Sequence, residues 1–298
     1  MNLNFWLIQT FNGISYGALL FLVGSGLSLI FGVMRIVNLA HGSYFMLGGY
    51  VALTVIWTTG SWLLAIPVAA ITIALLGLAM ERVFLRQLGF DPLRQVLLTV
   101  GFAFLFQQAA LDLWTGNNFD INPPAALSQS IQIGGLFLPL YRVFMIAIAA
   151  AIGLVLWLVM ENTRIGAQVR ATVDDAQMAR GVGIDTSRIS MMIFALGAFL
   201  AALGGVIGGA FLGIYPGLDF EMLPIAFAVV IIGGMGSLGG AAIGALIVGL
   251  ADNFGKALFP EISYFTLYAP MAAPPRLPMP PMITTANAIG SISKSRPG

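Results

Sequence analysis

The pentapeptide Asn-Leu-Ala-His-Gly at residues 38–42 carries the polar groups of the first part of the chain that could do chemistry, including its single histidine, His41. One imidazole cannot by itself build a zinc centre, which takes several ligands, and the chain contains no cysteine. We therefore expect neither a metal site nor a catalytic centre here. Two interpretations stay open. Asn38, His41 and Gly42 either break a helix inside a nonpolar interior or join two helices at a polar boundary, and the nearby Arg35 favours the boundary.

Two glycine-containing motifs resemble nucleotide-binding sites without meeting their requirements. Residues 234–239, Gly-Met-Gly-Ser-Leu-Gly, fit G-x-G-x-x-G, but that fingerprint is informative only between a strand and a helix. Here it divides an apolar run, so Gly234 and Gly236 are interpreted as a helix break. The Gly255–Lys256 pair is followed by Ala257, where a phosphate loop needs Ser or Thr. The sequence therefore predicts no nucleotide site on this chain.

The charged segment 161–188 is predicted to contain a short helix. Thr172 is a suitable N-cap, with Asp175 at the third helical position, and Arg180 near the end suits the helix dipole. Gly181 and Gly183 are typical stop signals. A helix of about eight residues is marginal in water, so it must pack against something. Its partner is either the chain's own long helices or a separate protein, and an exposed docking face that includes Ala179 is expected in the second case.

The composition indicates a membrane protein. Hydrophobic residues make up 59% of the chain and charged residues 8%, whereas a soluble domain typically carries about a quarter charged residues. The net charge of +1 gives no reason to expect nucleic-acid binding. The N-terminus lacks the basic region of a cleavable signal peptide, and we expect it to be retained.

Long apolar segments recur along the chain, and lipid requires such spans to be helices. The fold class is therefore predicted as all-α, a polytopic transmembrane bundle of about eight segments with broken or re-entrant helices. The segments are expected near 11–33, 43–60, 61–80, 95–114, 143–160 and 189–213, followed by the pair 222–232 and 241–251 and a short stretch at 262–273. Glycines spaced by four in 189–213, such as Gly205 and Gly209, favour close helix contacts.

The connecting loops indicate an orientation. The linkers at Arg35, 81–94 and 161–188 hold eight arginines, against Arg142 and Lys256 in the alternating loops. The positive-inside rule then predicts that these linkers are cytoplasmic and that the N-terminus is outside. On the outer side we expect a polar, turn-rich loop without helical periodicity at 115–142, and Asp219 and Glu221 as solvated loop charges.

Three motifs, in order, resemble one protein family. Residues 35–51 and the glycine-rich stretch 229–249 look like signatures of permeases for branched-chain amino acids, which belong to the ATP-binding-cassette importers. Residues 170–185 look like the cytoplasmic coupling loop of such permeases, with Ala179 preceding Gly183 and Ile184. The resemblance covers roughly residues 5–271.

The resemblance implies a membrane subunit that forms half of a translocation path and binds no cofactor itself. Its implied partners are a second homologous permease, two cytoplasmic ATP-binding subunits that use ATP, and a periplasmic amino-acid-binding protein. The implied location is the bacterial inner membrane, with several passes. The residues expected to couple to the ATPase are Arg170, Asp174, Asp175, Ala179, Arg180, Gly183 and Ile184. The candidates for the path or its helix breaks are Asn38, His41, Gly42, Gly234 and Gly236.

Alternatives remain for both substrate and class. Urea and short-amide importers have similar permeases, and a secondary transporter or channel would need no docking helix. Residues 1–271 are predicted to form the permease domain, with 161–188 as its coupling loop. Residues 272–298 are proline-rich, depart from the family and are predicted to be disordered.

Overall fold

The computed structural model describes residues 3–89, 91–133 and 135–258. The described chain is helical apart from one hairpin. Its helices are α1 (Leu3–Met34), α2 (His41–Thr59), α3 (Trp62–Val83), a 3₁₀ turn (Leu85–Leu88), α4 (Pro92–Trp114), α5 (Leu140–Asn162), α6 (Arg164–Asp174), α7 (Ala176–Gly181), α8 (Thr186–Leu212), α9 (Leu218–Gly233) and α10 (Leu238–Leu258). The strands are β1 (Ser130–Ile133) and β2 (Leu136–Pro139).

The predicted all-α transmembrane bundle is confirmed. Within the described ranges, six helices are long and apolar enough to cross a membrane, namely α1, α3 with its 3₁₀ turn, α4, α5, α8 and α10. The two further predicted segments are the shorter helices α2, with 19 residues, and α9, with 16. The stretch at 262–273 and the tail at 272–298 lie outside the described residues.

Helix α1 forms the centre of the bundle, between α10 and α8. A methyl group at Gly17 would lie 2.9 Å from the carbonyl oxygen of Ala245 in α10. On the other side, a methyl group at Gly26 would lie 2.7 Å from the carbonyl oxygen of Gly197 in α8. Small residues therefore let these backbones touch. In lipid the hydrophobic effect does not drive helices together, so close packing of this kind takes its place.

The connection between α4 and α5 is more regular than the sequence predicted. Strands β1 and β2 pair as an antiparallel hairpin, and Phe119 pairs with Ile214 in an isolated bridge. No helix lies in residues 115–133, as expected, but the hairpin was not predicted. Strands this short show too little alternation to be recognised from one sequence.

Candidate coupling segment and re-entrant helix

The segment 163–185 folds into two consecutive helices instead of the one short helix predicted. Thr163 caps α6, since its hydroxyl oxygen accepts from the amide of Gly166 at 3.1 Å. Thr172, the predicted N-cap, lies inside α6 and donates to the carbonyl oxygen of Gln168 at 2.8 Å, so that prediction is wrong. The good helix formers Ala167, Gln168 and Ala171 help extend α6 back to its cap at Thr163.

Asp175 forms the joint between α6 and α7. Its carboxylate accepts hydrogen bonds from the amides of Gln177 at 2.8 Å and Met178 at 2.9 Å, as an N-cap does. These bonds, foremost the one from Met178, hold the pKa of the Asp175 carboxyl below its ordinary value, and the Arg35 charge adds to the effect. Asp175 therefore stays ionised and α7 stays capped at neutral pH. Arg180 lies in the last turn, as predicted, and the helix ends at Gly181.

The exposed face of α7 differs from the expected one. Ala179 is 3% exposed because it packs against the chain itself, so placing it on an open docking face was wrong. Met178 and Val182 are instead 68% and 72% exposed, and they lie one helical turn apart on the same side. Gly183, at φ 88°, and Ile184, whose amide donates to the Ala179 carbonyl, complete the turn into α8. The apolar pair Met178 and Val182 is named the α7 patch below.

The α6 end is fastened to α1 through Arg35. The guanidinium of Arg35 donates to the carbonyl oxygens of Val173 at 3.3 Å and Asp174 at 3.5 Å, which are unpaired acceptors at the end of α6. Arg35 itself has φ 55°, a left-handed conformation that is uncommon outside glycine and that ends α1. Its amide donates to the carbonyl oxygen of Phe31 at 2.8 Å. One residue therefore terminates α1 and caps α6.

Two further arginines tie this segment to its neighbours. Arg170 donates to the carbonyl oxygen of Met160 in α5 and lies 3.7 Å from the Glu161 carboxylate. The Nε of Arg180 donates to the Thr186 hydroxyl at 2.7 Å, at the start of α8. Arg35, Pro92, Asp174 and Arg180 also line one cavity of about 410 Å³. The arginine-bearing linkers thus meet at one end of the bundle, as the loop pattern requires.

Beyond Arg35 the chain turns back into the bundle instead of leaving it. The Nε2 of His41 donates to the carbonyl oxygen of Val23 at 3.0 Å, and both Asn38 and His41 are fully buried. Val23 precedes Met34, the last residue of α1, by eleven residues, or about 16 Å at 1.5 Å per residue. Helix α2 therefore begins deep inside the protein. The preferred interpretation of His41 as an interfacial residue is wrong.

The start of α2 meets the start of α9. The hydroxyl of Ser43 donates to the Asp219 carboxylate at 2.9 Å, and a methyl group at Gly42 would lie 2.3 Å from the Asp219 carbonyl oxygen. Asp219 is 2% exposed, so its predicted role as a solvated charge is wrong. Glu221 is exposed, as expected, and accepts from the Tyr215 hydroxyl at 2.8 Å. The contact needs glycine at position 42 because any side chain would separate the two helices.

The glycine motif at 234–239 interrupts the helical structure between α9 and α10, as predicted. Gly234 and Gly236 have φ 91° and 85°, a region that favours glycine. The amide of Gly236 donates to the Ser28 hydroxyl at 3.2 Å, and a methyl group at Gly236 would lie 3.0 Å from the Gly32 Cα and 3.7 Å from Val173 in α6. The break therefore lies beside the end of α1 and α6, and is separate from the His41 junction.

Comparison with known proteins decides the family. A model described as "Branched-chain amino acid transport system / permease component" matches residues 9–273. The chain belongs to this family. LivH of Salmonella typhimurium, a high-affinity branched-chain amino acid transport system permease protein, is 31% identical to the permease over 270 residues, 85% of this chain and 87% of LivH.

Two further relatives extend the comparison. BraD of Pseudomonas aeruginosa, with the same description as LivH, is 28% identical over the same shares of the two chains. LsrC of Escherichia coli, an autoinducer 2 import system permease protein, is 29% identical over 63% of this chain and 56% of its own. No solved structure matches the permease. The family consists of transport permeases, and the permease is a multi-pass membrane protein.

The predicted site residues fall into two groups in the permease. Asn38, His41 and Gly42 lie at the buried α2–α9 junction, while Gly234 and Gly236 adjoin the coupling segment. Arg35 was missed as a site residue, because the sequence showed only its charge. Within the described part of the chain no group of three His, Cys, Asp or Glu side chains could hold a metal ion.

Proposed function

We propose that the permease is the membrane subunit of an ATP-driven importer for branched-chain amino acids. It pairs with a second permease to enclose the path, two cytoplasmic ATPases use ATP, and a periplasmic binding protein delivers the substrate. The protein lies in the bacterial inner membrane with the N-terminus outside and the α6–α7 end in the cytoplasm. The names of LivH and BraD support the substrate class, and the arginine-rich linkers gathered at one end support the orientation.

The α7 patch is the observation that carries the proposal. Exposed apolar side chains outside a membrane span are the usual mark of a protein contact when they lie together. Met178 and Val182 project from the short capped helix α7, which lies between α6 and α8. A partner that presses on them therefore displaces α7 together with the end of α6. The ATPases dock on this patch.

Movement of α7 reaches the buried α2–α9 junction through Arg35. A push on α7 displaces the end of α6, whose carbonyl groups Arg35 holds. Arg35 is directly joined to residues 36–40, which lead to His41 and have no regular helical structure. Arg35 acts as a positioning residue: it converts displacement of α6 into displacement of the segment that ends at the start of α2.

Docking is tested by a charge on the α7 patch. Met178→Glu should abolish or strongly weaken retention of the ATPase subunits on affinity-tagged permease, because the carboxylate opposes an apolar contact. The matched control is Phe137→Glu in the hairpin at the other end of the bundle, since Phe137 is also 68% exposed. Equal retention of the ATPases by the two variants would refute docking on this patch.

The substrate is tested by uptake in cells that lack only this chain. These cells should no longer take up labelled leucine, isoleucine and valine, and the cloned permease should restore the uptake. Labelled urea should be taken up at the same rate with and without the permease. Loss of urea uptake with normal leucine uptake would instead establish an amide importer, and uptake that continues without ATP would establish a secondary transporter.

A further inference from the structure

A wholly apolar groove opens between four helices at the α6–α7 end of the permease. It encloses about 490 Å³, within the range of roughly 300–1,000 Å³ that small-molecule pockets show. Apolar side chains from α3, α5, α6 and α8 line it, among them Leu78, Met160, Ile165, Met192 and Phe199. A groove of this composition in a membrane-spanning region can accept a hydrocarbon chain but offers no polar partner to an amino acid.

The groove exists because α5 packs along α1, whereas α3 packs along α8. Phe21 of α1 lies 3.1 Å from where a methyl group on Gly153 of α5 would be, whereas Ala198 of α8 lies 2.7 Å from such a methyl on Gly77 of α3. At the hairpin end α5 and α3 meet, with the rings of Trp62 and Phe144 5.6 Å apart. Towards the other end they diverge, and Ile165 of α6 lines the space between them.

Two arginines stand at the end of the groove where α6 begins. Arg82 follows Leu78 by one helical turn on the same side of α3, and Arg164 directly precedes Ile165 at the start of α6. Both are exposed, and neither forms an ion pair within the described ranges. By contrast, Arg188 at the same end lies 2.8 Å from Asp185. Unpaired arginines beside an apolar groove complement a phosphate attached to a hydrocarbon chain.

We infer that the groove binds one acyl chain of an anionic phospholipid whose headgroup phosphate contacts Arg82 and Arg164. Basic sites between membrane helices recognise acidic headgroups in this way. The bound lipid bridges α3, α5, α6 and α8, and α6 is continuous with the α7 patch through Asp175. Lipid occupancy therefore also steadies the segment on which the proposed function depends, although the lipid site itself rests on the groove and the two charges.

The test measures lipid that stays bound. Permease is reconstituted in vesicles of equal parts phosphatidylglycerol and phosphatidylcholine, extracted in mild detergent and examined by native mass spectrometry. The wild type should retain phosphatidylglycerol in preference to phosphatidylcholine. The double variant Arg82→Gln/Arg164→Gln should lose at least fivefold of the bound phosphatidylglycerol. The single-charge control Arg188→Gln should retain it.

A second variant tests the acyl chain independently of charge. Ala195→Phe places a ring in the groove and should reduce retention of both lipids while the two arginines remain. Unchanged phosphatidylglycerol retention in the arginine double variant would overturn the proposal. So would efficient cross-linking of Met192→Cys, in a chain with no native cysteine, to a second permease subunit, because the groove would then be an interface between proteins.

Discussion

The close contact between α2 and α8 predicts a large effect of a single methyl group at Gly205. A methyl carbon there would lie 1.8 Å from the carbonyl oxygen of Phe45, whereas a carbon and a carbonyl oxygen normally approach to about 3.3 Å. Both groups belong to backbones or are fixed to them, so no side-chain rotation relieves the overlap and the helices must separate by about 1.5 Å. Overpacking of this kind costs about 1–3 kcal/mol or more.

The opposing gain from replacing glycine by alanine in a helix is at most about 1 kcal/mol, so overpacking dominates for Gly205→Ala. For an overlap this large we take the overpacking as about 3 kcal/mol, which leaves a net loss of about 2 kcal/mol. At about 2–4 °C per kcal/mol, the slope for chains of about 150–250 residues, we expect the melting temperature to fall by about 4–8 °C. The fall is measured by tryptophan fluorescence of the purified permease in detergent, at one fixed scan rate.

Gly101→Ala is the matched control because Gly101 lies within α4 and an added methyl group would have no atom within 4 Å. This variant should melt at the wild-type temperature or slightly above. If the Gly205→Ala and Gly101→Ala variants have the same melting temperature, α2 does not lie against α8 as described. The assignment of α2 as a buried, re-entrant helix is then refuted.

Three further predictions concern the coupling segment. Gly236→Ala should lower the uptake rate more than Gly234→Ala. Both glycines have positive φ, but an added methyl group at Gly236 would meet Gly32, whereas one at Gly234 would have no atom within 4 Å. Equal effects of the two substitutions would refute a role for the contact with Gly32. Asp175→Ala should speed amide hydrogen exchange in α7. Since the folded pKa of Asp175 is lowered, its stabilising effect is present above the unfolded pKa of about 3.9 and is lost only as pH falls through the lower folded value. Intrinsic-rate-corrected protection of α7 should therefore be constant from pH 8 to 5, and a fall in that window would contradict the cap. Arg35→Gln should retain the ATPases but transport several-fold less amino acid per ATP, with partial rescue by Arg35→Lys, and an unchanged ratio would exclude Arg35 as the link.

The sequence predicts the long helices well because lipid leaves them little choice. For α4, the expected segment 95–114 differs from Pro92–Trp114 at one end, where Asp91 caps the helix and Pro92 occupies its first turn. Apolar composition over about 20 residues suffices for such a span. Hydropathy reports only whether a residue tolerates lipid, however, and carries no information on depth. Arg35 directly follows the end of α1, but the six residues after it return inside the bundle.

The site was predicted less completely because its details depend on packing partners. The sequence placed one short helix within 170–185 and a dipole-compatible Arg180, but the side of α7 that faces outward is decided by its contact with the rest of the chain. Ala179 therefore turned out buried and Met178 exposed. Likewise, Asp219 carries the charge typical of a loop, and only the approach of Ser43 from a distant helix explains its burial.

These contacts limit which segments of the permease can deform. Helix α1 cannot bend easily, because its glycines touch the backbones of α8 and α10 on either side. Residues 36–40 have no regular helical structure, although Ile36, Asn38 and Ala40 are buried, and the amide of Leu39 donates to the Thr99 hydroxyl at 3.2 Å. A displacement that preserves the α1 contacts is therefore a shift of this irregular segment relative to α1. Opening the junction would break the bonds from His41 Nε2 to the Val23 carbonyl and from Ser43 to Asp219, and it would release the His41 Nδ1, which is buried with no hydrogen-bond partner among the described residues. Under the proposed function, displacement of α6 is therefore passed by Arg35 to the segment that leads to the start of α2.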